Sequence, residues 1–442
     1  MRSLLSKIKG GNMNLVVNEG VDKSENVIPK VYRLGSVKKI RGVEGGTPWL
    51  FDFSDHYSLF DWGKMPDELA LKGNSLALMS LAIYDYLENC KSWELPDNLP
   101  SYMNSNPLIN SCLEWLKKNG LKTHLKGAWN DKGPIDLKEN KEWEKLEVEE
   151  PLYLDFAPFK VQKPKWNSNL SVWDYSSFKN PKLEGMVPLE VVFRFGLPEG
   201  SSFRKRLKNK AYLEELLKGL PQSQSKAFME DLYQGKYEKK LWDFPIIEFS
   251  TKWEPEDRFL NYEEAQKISG LSDGEWAAFI EWNSLVAVQL RSFFKEMDLI
   301  LWDGKCEWGM ENGPGPFIGQ RNFVLVDSLG PDELRLTYKG VPLSKEILRV
   351  FYRKTKWAHY VSLAKEEARL KGMKDWKDHF YKSNFPVNPE PPSLMEEQKT
   401  VYSMIYQSLS NYVCEKVYKK EPFSKALTLG SLIKDIERMD SK

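Results

Sequence analysis

Charged and apolar residues alternate along Trp302–Trp308, and an apolar run, Phe323–Val326, follows and ends at Asp327. Successive side chains on a strand point to opposite faces. Asp303, Lys305 and Glu307 therefore share one face, and Trp302, Cys306 and Trp308 the other. Between the two runs, Met310–Asn322 holds Asn312-Gly313, Pro314 and Pro316, turn chemistry that suits a hairpin. No other stretch restricts the chain as much, because it demands strands with one charged and one apolar face. A folded hairpin brings Glu307 near Asp327. Two carboxylates beside a lysine form an oxygen-ligand site for magnesium carrying nucleotide phosphates. By spacing alone, a solvated strand face of alternating charge is the simpler reading.

The segment Pro188–Phe195 repeats the theme. Leu189, Val191, Phe193 and Phe195 fall on one face, and Glu190, Val192 and Arg194 on the other. A charge on so apolar a strand is expected to point into a cleft or solvent, since burying it without a partner is costly. Gly200-Ser201-Ser202 follows; small residues there expose backbone N–H groups to a phosphate, although alone the tripeptide is an ordinary turn. Ser272 and Glu275 have capping-box spacing, and helical periodicity continues over Trp276–Met297 into the Asp303 strand. Helices are also predicted over Asn74–Glu88, Ile109–Lys118 and Ser344–Leu370, and from Ser393–Glu396 to Val413 after the stiff connector Phe385–Pro392. Strands are expected within Val31–Asp55, around a Gly-rich turn at Gly42–Gly46, and from Leu121–His124. Leu95–Leu108 and Lys163–Leu183 read as loop or irregular chain.

At 442 residues the chain exceeds a single typical core. Its 64 Lys+Arg and 63 Asp+Glu nearly cancel, so no net field draws it to nucleic acid or an anionic membrane. The basic run Arg204–Lys210 reads as an exposed helix face. Four cysteines and four histidines are scattered without ligand spacing, which points away from a disulfide framework, zinc or a His-based metal site. No apolar run has the length of a membrane span, and the basic start lacks the apolar stretch of a secretory signal. The composition fits a soluble, cytoplasmic enzyme of small molecules, with no nucleic-acid or membrane partner.

The stretch from Asp303 to Arg335 also resembles the C-terminal signature of the phosphoribosylaminoimidazole-succinocarboxamide synthase (SAICAR synthetase) family of purine-biosynthetic ligases. That signature runs Asp-x-Lys-x-Glu-Phe-Gly, an apolar strand closing on Asp-Glu, then Pro-Asp and an Arg. The matching residues are Asp303, Lys305, Glu307, Trp308, Gly309, Asp327, Pro331, Asp332 and Arg335, with Ser328 in place of the Glu. Five earlier blocks resemble the family in the same order: Gly35–Ile40, Phe53–Gly63, Leu71–Ser80, Met186–Leu207 and Pro245–Asp257.

The resemblance implies an α+β fold similar to SAICAR synthetase. It has an antiparallel N-terminal sheet domain and an ATP-grasp-like domain with nucleotide between them, here extended by helices. The divisions implied are a flexible segment at 1–30, the N-terminal α+β domain at 31–150, the ATP-grasp-like ligase domain at 151–343 and the helical C-terminal extension at 344–442. The implied reaction is ATP- and Mg2+-dependent amide formation. The carboxylate of carboxyaminoimidazole ribonucleotide becomes an acyl phosphate, and the amine of aspartate displaces phosphate. On the same resemblance Glu307 and Asp327 bind magnesium, and Lys38 and Lys305 contact nucleotide phosphates or the transferring group. Asp303 holds substrate or a second metal water. Arg194, Ser201, Ser202 and Arg335 hold the ribonucleotide phosphate and carboxylates. Ser54, Asp55 and Asp61 lie in the block similar to the substrate- and metal-contacting loop, and Lys72 in the Lys-Gly block. Lys305, Asp303 and Arg194 are the catalytic candidates.

The chain departs from the family at Ser36 (Lys in the family), His56 (Arg) and Ser328 (Glu). Its turn Leu197-Pro198-Glu199 also sets a carboxylate near the expected phosphate. Two readings stay open beside SAICAR synthetase itself. One is an amide ligase that joins an amino acid or amine to a different carboxylate, in nucleotide-derived or natural-product metabolism. The other is a non-catalytic nucleotide-binding homologue. A homo-oligomer is left open as well.

Overall fold

The structure is a computed structural model that describes residues 27–94, 101–138, 141–180, 184–234, 241–255, 257–313, 315, 321–343, 345–373 and 375–440. Most of the expected N-terminal segment, part of Leu95–Leu108, and Pro314 and Pro316 of the hairpin loop lie outside the described residues.

Two antiparallel sheets form the framework. The first has six strands in the order Val31–Leu34, Lys38–Arg41, Leu50–Phe53, Tyr153–Phe156, Leu125–Asn130, Gly133–Ile135. Its fourth strand comes from beyond residue 150, after the charged stretch Gly127–Glu150. The second sheet follows the path Phe259–Leu260, Ile246–Thr251, Gly185–Arg194, Ile300–Glu311, Leu334–Tyr338, Val341–Pro342. The strand Asn322–Val326 pairs with the C-terminal half of Ile300–Glu311, as the hairpin pattern predicts.

The second sheet has the two unlike faces that the alternation predicts. Leu189, Val191, Phe193, Ile247, Phe249, Cys306 and Trp308 are buried, and their strands pack on the helix Asp273–Lys295. Trp308 Nε1 donates to Asn283 Oδ1 at 2.8 Å, and the Phe279 ring stands edge-on to Trp308 at 6.0 Å. Burying each large side chain contributes roughly 1.5–3 kcal/mol, so this face holds sheet to helix and leaves the other free for charge. The helix starts at the predicted capping box. The Ser272 Oγ accepts the Glu275 N–H at 3.3 Å, and the Glu275 carboxylate accepts the Ser272 N–H at 2.9 Å.

The helix Lys72–Glu88 packs on the first sheet and is covered in turn by Glu396–Tyr418. Gln407 Nε2 ties the two by donating to the Ala70 carbonyl at 3.0 Å. The run expected as one helix over Ser344–Leu370 is two, Lys345–Arg353 and Lys356–Leu370. Thr355 splits it, because its hydroxyl caps the second helix by accepting the Ala358 N–H at 3.2 Å. The irregular stretch Lys163–Leu183 contains a two-stranded ribbon, Lys165–Asn167 with Val172–Asp174, where Trp166 and Trp173 meet edge to face.

The sheets are stitched together beside Asp327. The His124 N–H donates to the Leu325 carbonyl at 3.0 Å, and the Leu325 N–H to the Lys122 carbonyl at 2.9 Å. Tyr84 donates to the Val326 carbonyl at 3.1 Å, and Ser80 to the Leu329 carbonyl at 2.9 Å. This seam brings Lys38 of the first sheet to Asp327 of the second.

Candidate active site

Register gathers the charged residues on one side of the second sheet. Arg194 lies opposite Asp303, Val192 opposite Lys305 and Glu190 opposite Glu307, while Asp303 also faces Arg335 across the other edge. Directly opposed residues share a face, so Glu190, Arg194, Asp303, Lys305, Glu307 and Arg335 all project from it. Glu248, opposite Val192, joins them.

One cluster is built on lysines. Lys305 Nζ lies 3.0 Å from Glu190 Oε1 and 3.2 Å from Glu307 Oε1. Lys252 also pairs with Glu307 and stands 3.9 Å from Glu190. Lys38 pairs with Asp327, lies 3.4 Å from Ser328 Oγ and sits 4.2 Å above the Phe51 ring. Regular alternation would turn Asp327 away from this side, because Glu307 pairs with Val326. Asp327 instead has φ 69°, a left-handed conformation that ends the strand and re-aims the side chain. Burial would raise its carboxyl, but Lys38, Lys305 and Lys252 outweigh that and hold it well below the usual carboxylate range. Lys305 remains protonated because Glu307 and Glu190 overcome the opposing desolvation.

Next to it, Asp332 accepts from Lys72 Nζ at 2.9 Å and from the Tyr406 hydroxyl at 2.9 Å. Burial opposes ionisation there, yet the fully buried Lys72 takes the Asp332 carboxyl down to about 2. Glu333 goes the other way. Desolvation, then the charges of Asp332 and Asp327, push its carboxyl up to about 8.

The other cluster is built on arginines. Arg194 Nη1 donates to Asp303 Oδ2 at 2.9 Å and lies 3.5 Å from the buried Ser201 hydroxyl. Glu248 pairs with Arg194 and accepts from Arg206 Nη2 at 2.7 Å and from Tyr212. Arg335 Nη1 stands 3.5 Å from Asp303, and its Nη2 3.8 Å from Glu346.

The remaining sequence candidates have local partners. The Ser54 hydroxyl donates to the Val37 carbonyl at 3.0 Å. Asp55 accepts the N–H groups of Leu71 at 3.1 Å and Gly73 at 2.8 Å, and so caps the helix Lys72–Glu88. Asp61 is exposed and pairs with Lys365 at 2.6 Å. Ser202 is exposed and accepts from Arg206 at 3.1 Å. At the family-divergent position, His56 Nε2 lies 2.8 Å from Glu68. Sequence reasoning did not assign Lys252, Glu248, Arg206, Glu333 or Glu346. Glu248 had a signal, a lone acid inside the apolar run Ile246–Thr251, and Lys252 closes that run.

Among the described residues no group of three or more His, Cys, Asp and Glu side chains is arranged to hold a metal. Glu307 and Asp327 offer two carboxylates. Magnesium commonly takes one or two carboxylates from protein and the rest from phosphate and water. The pair therefore suits an ion that arrives with nucleotide, not an all-protein cage.

The family model described as SAICAR synthetase matches residues 31–362. The chain is 30% identical over 374 residues to an Archaeoglobus fulgidus protein described as "Putative phosphoribosylaminoimidazole-succinocarboxamide synthase", covering 84% of this chain and 89% of that one. It is also 30% identical over 173 residues to the phosphoribosylaminoimidazole-succinocarboxamide synthase of Thermoplasma acidophilum, covering 37% of this chain and 51% of that one. Among solved structures, a SAICAR synthetase in complex with ADP is 19% identical with a TM-score of 0.42, over 83% of this chain and 100% of that one. The SAICAR synthase of Saccharomyces cerevisiae complexed with SAICAR is 18% identical with a TM-score of 0.45, over 91% and 99%.

Proposed function

The chain belongs to the SAICAR synthetase family, ligases that form carbon–nitrogen bonds, and from that premise we propose that it uses ATP to join aspartate to the carboxylate of carboxyaminoimidazole ribonucleotide. The observation that carries the proposal is the convergence of Lys38, Lys252 and Lys305 on Glu307 and Asp327, beside the arginines that flank Asp303.

A carboxylate is a poor acyl donor because oxide would have to leave. In the proposed reaction a substrate carboxylate oxygen attacks the γ-phosphorus of ATP and ADP departs. The aspartate nitrogen then attacks the acyl carbon, inorganic phosphate leaves and the nitrogen loses a proton. Phosphoryl transfer needs positioning and charge neutralisation more than covalent help. Lys305 and Lys38 supply fixed positive charge toward the phosphates. Glu307 and Asp327 would hold magnesium, which neutralises phosphate charge when bound. Arg194, Arg335 and Ser201 would grip the ribonucleotide phosphate and carboxylate, guanidinium groups being suited to bidentate oxyanion contacts. Asp303 orients both arginines. The reading carries with it a cytoplasmic location and a domain division at residue 343, while the division implied at residue 150 moves past Phe156, because Tyr153–Phe156 is an inner strand of the first sheet.

Glu248 favours a second reading, a ligase for a different carboxylate, because it already neutralises Arg194 and Arg206. The test is turnover with ATP, magnesium, aspartate and carboxyaminoimidazole ribonucleotide. Aspartate-dependent ADP release with amide product is expected. ADP release only with another acid or amine replaces the first reading by the second, and nucleotide binding without turnover on any substrate overturns both.

A further inference from the structure

We propose that Glu346 is an internal anion that competes with substrate phosphate for the arginine pocket, and that Arg353 on the same helix is a further phosphate-binding residue. The inference rests on the ribonucleotide reading above. Glu346, Arg349 and Arg353 lie three to seven residues apart on the helix Lys345–Arg353, and that spacing sets them on one side of it. The Glu346 side chain is only 5% exposed. It accepts from Arg353 Nη2 at 2.6 Å and Arg349 Nη1 at 3.2 Å, and lies 3.8 Å from Arg335 Nη2. The helix presses on the turn that follows the Arg194 strand. Gly200 there has φ +75°, and a Cβ on it would fall 2.7 Å from Glu346 Oε1 and collide with the Arg353 guanidinium. Glycine meets this conformation without strain, and a side chain there would push aside the ends of Glu346 and Arg353.

Asp303 and Glu346 both pair with Arg335, so the two halves of the pocket form one network. Around it Arg194, Arg206, Arg335, Arg349 and Arg353 oppose Glu248, Asp303 and Glu346, five positive groups against three negative. These ion-paired groups leave positive charge in excess, which suits a phosphomonoester, itself carrying about −1.5 to −2 at neutral pH. Arg335 Nη1 is buried and makes no hydrogen bond, its ion pair with Asp303 being 3.5 Å long, so it can still donate to such a ligand. Glu346 keeps the guanidinium groups from repelling one another. It also sets a threshold: a monoanion gains too little to displace a buried carboxylate, whereas a phosphate brings more charge and a third acceptor oxygen.

The experiment is calorimetric binding of inorganic phosphate to the full chain, with steady-state KM values for the ribonucleotide and for ATP. Glu346→Gln should bind phosphate about tenfold more tightly and lower the ribonucleotide KM, with ATP KM unchanged. Arg353→Met should weaken phosphate about tenfold and raise only the ribonucleotide KM; it also serves if Glu346→Gln does not fold. Unchanged or weaker phosphate binding in Glu346→Gln, or unchanged binding in Arg353→Met, overturns the inference. If Arg335→Ala still abolishes phosphate binding in that case, the pocket reading survives and only the parts given to Glu346 and Arg353 fail. If Arg335→Ala binds phosphate like the parent, the pocket reading falls and the inference with it.

Discussion

Glu275 lends itself to a quantitative test because the fold fixes all of its partners. Its carboxylate accepts from Arg321 Nε at 2.8 Å, Arg321 Nη2 at 2.8 Å, the Arg321 backbone N–H at 3.1 Å and the Ser272 N–H at 2.9 Å. Burial works to raise this carboxyl, but the Arg321 side chain and the two backbone donors carry it from 4.5 down to about 2. The folded chain therefore holds the proton less tightly than the unfolded chain. The sign follows from linkage: the stabilisation is fully present above the unfolded value and is lost as pH falls from 4.5 towards 2. At about 1.4 kcal/mol per pH unit, that interval corresponds to about 3 kcal/mol.

Glu275→Gln preserves the shape and removes the charge. It takes the Glu275 charge away from the Arg321 guanidinium, which is 4% exposed. Stranding one partner of a buried pair costs about 3–5 kcal/mol, so a loss of that size is expected at pH 7. Below pH 4.5 the parent should lose its advantage and the two stabilities converge. The assay is urea unfolding of both chains across pH, followed by tryptophan fluorescence and circular dichroism. A variant within about 0.5 kcal/mol of the parent at pH 7, with the same acid slope, would refute the claim that this clasp anchors the helix behind the charged sheet.

The remaining expectations concern the site. Glu307→Gln should abolish magnesium-dependent turnover while circular dichroism stays as in the parent; unchanged activity would remove Glu307 from the site. Arg335→Ala should mainly raise the KM for the phosphorylated substrate. An equal loss at saturating substrate, measured by steady-state kinetics, would instead place Arg335 in the chemical step.

What could be read in the sequence was what a local period encodes. A strand's two-residue repeat assigns faces without knowledge of the partner strand, so the common face of Asp303, Lys305 and Glu307 and the alternation of Pro188–Phe195 appear in the structure as predicted. Capping chemistry is equally local, and the helix after Ser272 begins where its box predicts. The same rule misleads at Asp327, where alternation points the side chain the wrong way and a left-handed residue reverses it. No residue type there announces that turn, since aspartate tolerates the conformation without requiring it. The Lys38–Asp327 pair spans 289 residues of sequence, and only the seam between the sheets brings the two together.

The C-terminal helices show a different limit. Their periodicity reveals that they form but not what their polar positions meet. Tyr406 looks like one more residue of an amphipathic stripe, yet its hydroxyl lies 2.9 Å from Asp332, whose other oxygen holds the fully buried Lys72. A buried lysine is tolerated only where a carboxylate is held against it. Tyr406 helps fix that carboxylate, while Glu346 orders Arg335 from the helix Lys345–Arg353. The apolar side chains of both helices, Ile347 and Leu348 with Ile405 and Leu409, lie in the same continuous core as Leu76 and Leu301. Part of the site's electrostatics is therefore set by chain that follows the Asp303–Arg335 signature. That chain cannot be treated as an appendage when the charge of the arginine pocket is counted.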